Sequence, residues 1–314
     1  MKKLAPLFLA VLAILFSACN NKGGGGNGEK YSIRPNLKPG DGYTLEYRVD
    51  MDQSIMGMTN KMNLTMGYQM KVKDVDAQRN INFDFFYNHL AMAMNSAMMN
   101  FKYDSDSSNN SSSATGIAGK MQGMYSKLMG GMLNKNMQVT MDSAGAVKDV
   151  VGFDEIIKSI KDSAASLTGA DETLEKTMSR DQITQMFQQT FGTFPQKPVA
   201  IGDTWTVEYS HDQNGLPMKF SNTYKLAEIL PKENEAVLDI EGTISAGNGE
   251  ISRAGVSVKV DMKGTQKGKL TVDLATGLVK SGKMNQDIKA NMEMMGQKMP
   301  MDMKATTTLT GKKL

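Results

Sequence analysis

Two histidines, a single cysteine and 28 methionines set the chemistry open to this 314-residue chain. A serine–histidine–aspartate relay would need His89 or His211 as its base. His89 stands between Asn88 and Leu90 in an alternating stretch, and His211 opens the turn-like run Asp212-Gln213-Asn214-Gly215. Neither adjoins a Gly-x-Ser-x-Gly elbow, and the chain has no phosphate loop, dinucleotide fingerprint or zinc spacing. The expectation is a protein that is not an enzyme and carries no cofactor. Asp104 and Asp106 begin like a calcium loop, but its closing glutamate is missing.

Methionine offers three readings. Its flexible thioether fills irregular cores, it suits surfaces that accept varied apolar shapes, and it selects soft copper(I). The pairs Met92-x-Met94 and Met299-x-Met301-x-Met303 resemble copper-handling motifs, but no cysteine or histidine joins them. From Met56 the even positions are largely apolar, through Met58, Met62, Met66, Met70 and Val72, while Lys61, Asn63, Thr65, Gln69 and Lys71 stand at odd ones. Period-2 alternation puts the two sets on opposite faces of a strand. Met56, Met58, Met62, Met66, Met70, Met299, Met301 and Met303 are therefore the candidate residues of an apolar ligand face.

The N-terminus says where such a face would work. Lys2 and Lys3 precede an apolar run from Leu4 to Phe16, which ends in Ser17-Ala18-Cys19. About 13 apolar residues are too few for a membrane span of roughly 20. A short apolar segment and small residues before a cut mark a secretory signal. The cysteine at the cut resembles the lipobox of bacterial lipoproteins, with Phe16 a loose fit at its first position. That resemblance implies cleavage after Ala18 and acylation of Cys19, which would anchor the chain to a membrane. Removing Lys2 and Lys3 takes the formal charge from +3 to +1, against a nucleic-acid partner. With Cys19 acylated, the mature chain would have neither a disulfide nor a free thiol. The glycine-rich stretch that follows is a flexible tether. Asn20, where an inner-membrane lipoprotein often has Asp, and the lack of an acidic pair favour the periplasmic face of the outer membrane.

Long strands must position the apolar face. Gly40-Asp41-Gly42-Tyr43-Thr44-Leu45-Glu46-Tyr47 is similar to Gly202-Asp203-Thr204-Trp205-Thr206-Val207-Glu208-Tyr209, 162 positions later. A second pair, Val139 to Val147 and Leu270 to Val279, repeats a strand, Asp, a turn with Gly, and a strand. The two halves read as one repeated unit. Strand 56–72 is too long to stay flat, so a bulge is expected near Gly67. Between the halves, helical spacing recurs at Ile117, Met121, Met124, Leu128 and Met132, then after Asp154, then across 171–191.

The chain resembles a group of Gram-negative lipoproteins known only as a domain of unknown function. The resemblance rests on Cys19, the Met-rich strands, Asp104-Ser105-Asp106, the turn Asp142 to Gly145, and Phe194-Pro195-x-Lys197-Pro198-Val199-x-x-Gly202-Asp203-Thr204-Trp205. It implies no activity and no catalytic residue. By element order alone the chain is similar to the lipoprotein-carrier (Lol-type) fold, which implies a curved antiparallel sheet wrapping helices around a hydrophobic cavity.

The expected fold is α+β: a large curved antiparallel sheet from two related halves, with a central helical segment packed on one face. Its parts are a signal peptide (1–18), the lipidated cysteine and tether (19–36), a first β-rich unit (37–151, with a disordered loop 104–115 and a helix 117–134), a helical segment (152–194) and a second β-rich unit (195–314). The expected function is a membrane-anchored periplasmic lipoprotein binding a lipid or other apolar ligand in a Met-lined cavity. The alternatives are a structural envelope lipoprotein without a ligand and, third, a copper(I)-binding protein.

Overall fold

The computed structural model describes residues 28–96, 100–107, 116–164, 184, 187–188, 191–213, 216–253, 256–294 and 296–314. The signal, Cys19, the first part of the tether, the polar loop beyond Ser107, the pair Met98-Met99 and most of the helical reading over 171–191 lie outside the described residues.

Among the described residues there are twelve strands and two helices. The first half holds β1 (Gly42–Ile55), β2 (Met58–Val75), β3 (Ile81–Asn95), β4 (Asn100–Asp104), α1 (Gly116–Met132), β5 (Met137–Met141), β6 (Val147–Val151) and α2 (Phe153–Ala164). The second holds β7 (Thr204–Gln213), β8 (Leu216–Leu230), β9 (Glu235–Arg253), β10 (Val256–Asp273), β11 (Val279–Met294) and β12 (Gln297–Lys313). All twelve strands join one open antiparallel sheet in the order β6-β5-β3-β2-β1-β12-β11-β10-β9-β8-β7, with β4 paired to the far end of β3. Among the described residues no helix is long and apolar enough to cross a membrane.

This corrects the α+β expectation: the protein is mostly β, and among the described residues no central helical segment covers the sheet. The reason is geometric. A helix rises about 1.5 Å per residue and a strand about 3.3 Å. The 17 residues of α1 therefore span roughly 26 Å, and the 18 residues of β2 roughly 59 Å. The helices pack on each other, close enough that a Cβ on Gly131 would come within 2.8 Å of Ile160 Cγ1. Their apolar residues Met129, Phe153, Ile156 and Ile160 join the core cluster with Phe83 and Val139, at the β3–β5 flank.

The alternation that predicted strands is visible in their burial. Along β3, Ile81, Phe83, Phe85 and Tyr87 are buried while Asn82, Asp84 and Phe86 are half-exposed. The β2–β3 register shifts at Gly67/Tyr68, where Asn88 is the extra residue. Met56, read from sequence as the first strand position, instead occupies the β1–β2 turn. Met56 (φ 51°) and Gly57 (φ 80°) are both left-handed, the backbone of the tight hairpin turn that matches strand twist. The solvent face carries cross-strand ion pairs, such as Lys267 with Glu241 and Lys269 with Asp239.

The two similar stretches make the same contacts. Gly40 (φ 89°) donates its N–H to Val72 O, Val72 donates to Asp41 O, and Asp41 Oδ2 accepts from Lys38 N. In the second half Gly202 (φ 94°) donates to Leu226 O, Leu226 to Asp203 O, and Asp203 Oδ2 accepts from Ala200 N. Asp142 Oδ1 accepts from Ala144 and Ala146, and Asp273 Oδ1 accepts from Ala275 and Thr276. Where the second half runs one long β10, the first splits the same edge of β3 between β4 and β5, with α1 inserted between them.

Candidate functional site

β1 and β7 are six strand steps apart in the sheet, which laid flat would separate them by about 29 Å. Yet Tyr47 on β1 and Tyr209 on β7 line one and the same cavity. The sheet is curled until its two flanks face one another. Between them lies a cavity of about 380 Å³, within the range of small-molecule sites. Every strand from β7 to β12 contributes to its wall, as do β1, β2 and β3.

Residues 187–188 and 191–194 bridge the flanks. Phe187 and Phe191 pack edge-on against Phe85 and Phe83, with ring centroids 4.7 and 5.6 Å apart. On the other side Trp205 Nε1 donates to Thr193 O at 2.9 Å, and its ring stacks on Tyr224 across the strand pair. Gln188 Oε1 accepts from Val147 N at 2.8 Å, which fixes the segment to the β5–β6 turn.

The wall is aromatic and aliphatic, with neutral polar groups. Burial pushes the Tyr47 hydroxyl up to about 12, and Tyr209 adds to the shift. Burial alone holds Tyr87 at about 12. Tyr68 is raised well above the ordinary tyrosine range by burial, and then by Tyr47 and Tyr87; its hydroxyl has no hydrogen-bond partner among the described residues. Asn222 and Gln266 also line the wall, and both are buried. They belong to one cross-strand row in which Asn222, Gly242, Gln266 and Gln286 are successive register partners. Gln286 Nε2 donates to Gln266 Oε1 at 2.9 Å, and Gln266 Nε2 donates to Asn222 Oδ1. Gly242 makes the last bond possible, since a Cβ there would lie 2.1 Å from Asn222 Oδ1.

The candidate methionines are spread along the inner phase of their strands rather than gathered. Met66 lines the cavity. Met58 is 49% exposed and Met70 not exposed at all, so β2 passes from solvent to solid core within twelve residues. Met56 is exposed, and Met62 packs against the main cluster. Met299 faces Met292 across the β11–β12 pair; Met301 is buried and accepts from Gln53 Nε2, and Met303 packs with Ile288 and Met292. Cys19 and the side chain of His211 lie outside the described residues. Sequence reasoning passed over the tyrosines and the amide row. The signal it could have used is a polar residue at an inner-phase position of an apolar alternation, as at Gln266 between Gly264 and Gly268.

A second cluster lies outside the cavity wall. The β3–β4 hairpin brings His89 Nε2 to 3.2 Å from Asp104 Oδ1 and 3.9 Å from Asp106 Oδ2. Donation from Asp106 N holds the Asp104 carboxyl below the usual carboxylate range, and His89 adds to this. The three residues could hold a cation by their spacing, but they are surface groups of a kind common without one.

No curated protein matches the chain. Among solved structures, one titled "Lipid-protein interactions in lipovitellin" is similar with a TM-score of 0.47 and 8% identity, covering 88% of this chain and 25% of that one. This chain thus spans a quarter of the length of that relative. Pseudomonas aeruginosa OpdQ is similar with a TM-score of 0.23 and 6% identity, over 88% of this chain and 100% of that one. P. aeruginosa OccK5 (OpdH) follows with 0.21 and 5%, over 88% and 98%. Likenesses this distant carry no functional argument. Residues 78–279, well over half of the sequence, match the Family of unknown function (DUF6263), and the chain belongs to that family.

Proposed function

We propose that this protein binds a lipid or other apolar ligand inside its curled sheet, as a binding protein rather than an enzyme. The observation that supports this is the cavity of about 380 Å³, walled by Leu45, Val49, Met66, Phe85, Ile240 and Leu309 among others. A sheet that needed only a core would close this space with side chains, because interiors are otherwise packed like organic crystals. The same reading keeps the protein at a membrane surface, held by acyl chains on Cys19 at the periplasmic face of the outer membrane. Its support is the Ser17-Ala18-Cys19 run after a short apolar segment.

Filling the cavity tests the first part. Thr307 is half-buried on the inner phase of β12 and lines the cavity. Thr307→Trp is expected to weaken binding of the uncharged dye Nile red at least about tenfold while leaving the folded circular dichroism intact. Equal binding by both proteins, or none by the wild type, would count against a ligand cavity. For the anchor, Cys19→Ala is expected to move the protein from the membrane fraction to the soluble one. A variant that stays in the membrane, beside a wild type that takes up no labelled palmitate, would refute lipidation.

A further inference from the structure

Resting on the cavity reading above, we infer that the row Asn222–Gln266–Gln286 is the ligand's polar subsite, and that the ligand is an uncharged amphiphile whose hydroxyl donates to Gln286 Oε1.

The row has a direction. Asn222 stands at one end of the row, and its Oδ1 accepts from Gln266 Nε2. Gln266 Oε1 in turn accepts from Gln286 Nε2. Each amide is oriented by the one before, and the relay ends on Gln286 Oε1, an acceptor. Gln286 lines the cavity, and past it the register runs to the apolar pair Ala305 and Met51, neither of which has a side-chain donor. A hydroxyl carried on an apolar body meets that acceptor at the level where the wall turns apolar. Gln286 is half-buried on this wall, so a ligand that supplies a donor to its oxygen is favoured over one that does not.

The surroundings set the charge. The polar groups on the wall are tyrosine and threonine hydroxyls and carboxamides, apart from Lys283. Lys283 is exposed and stands in the outward phase of β11. Burial already drives Tyr47, Tyr68 and Tyr87 toward their neutral forms. A carboxylate or phosphate placed beside them would lose its water with no cation to replace it.

Four probes built on a twelve-carbon chain separate this from the cavity reading: dodecane, 1-dodecanol, methyl dodecanoate and dodecanoate, titrated by displacement of Nile red at about pH 8. The wild type is expected to bind 1-dodecanol about tenfold more tightly than methyl dodecanoate or dodecanoate. Gln286→Met, which keeps the length and removes that acceptor, is expected to bring 1-dodecanol down toward the level of the methyl ester, while dodecane still binds. Equal affinity of the wild type for the alcohol, the ester and the anion overturns the subsite while the cavity reading stands, and that comparison needs no variant. So does a Gln286→Met protein whose preference for the alcohol equals that of the wild type. Failure of all four probes, dodecane included, overturns both.

Discussion

Raising the pH from about 9 to about 12 is expected to unfold this protein cooperatively, with its inner tyrosines ionising only as the sheet is lost. Burial raises Tyr47 and Tyr87 to about 12, against an ordinary value of 10.0. Below pH 10 both folded and unfolded chains keep these protons, and the stability is complete. Between 10 and 12 the unfolded chain gives them up and the folded chain does not, so stability falls as the pH rises. Two units at 1.36 kcal/mol each give about 2.7 kcal/mol per residue, or about 5 kcal/mol for the pair. Tyr68 and Tyr224 are raised as well and add to the loss in the same direction. That is a large part of the 5–15 kcal/mol typical of a folded domain. Phenolate absorbance near 295 nm and far-ultraviolet circular dichroism should change together for the buried set. Smooth titration of all nine tyrosines near pH 10, with the sheet signal intact, would refute a tightly enclosed tyrosine wall.

A large single-residue effect is expected at Gly145. Its φ of 85° is left-handed, and a Cβ there would lie 2.3 Å from Phe191 O and 2.6 Å from Phe194 Cδ2. Gly145→Ala therefore combines backbone strain of about 1–3 kcal/mol with a forced shift of the segment that bridges the two flanks, together about 3 kcal/mol or more. Gly40→Ala is the matched control. Its φ is 89°, but nothing lies within 4 Å of the added carbon, so strain acts alone at about 1 kcal/mol. Thermal unfolding should separate the two by several degrees. Equal losses would show that the bridging segment does not bear on Gly145.

How much of this was legible in the sequence varied with the range of the interaction. Strand alternation is local, so Met62, Leu64 and Met66 against Lys61, Asn63 and Thr65 suffice to give β2 and its inner face. The turn at Asp142 is local too, since Asp accepts from N–H groups two and four residues on. Family membership was also readable, through motifs spread along the chain. The class was misread because periodicity shows that a helix exists and not how much sheet it covers. The cavity was harder. No local pattern encodes that Tyr47 will face Tyr209 across a curl of six strand steps. Methionine abundance carried little positional information, since methionine packs equally well in the solid core at Met70 and on the cavity wall at Met66.

The place of β12 has a consequence for the order of events during synthesis. It is the last of the twelve strands to leave the ribosome, yet it occupies the middle of the sheet between β1 and β11. Leu45 pairs with Gly311, so the earliest and latest strands are direct neighbours. Until β12 arrives, β1 and β11 each present a bare edge, and the nascent body is two separate sheets with two extra surfaces open to mispairing. Contacts that join the start of a chain to its end make for slow folding. The sheet thus reaches its final arrangement only after β12 has been made, and a polypeptide short of it needs protection from its own edges for as long as it waits.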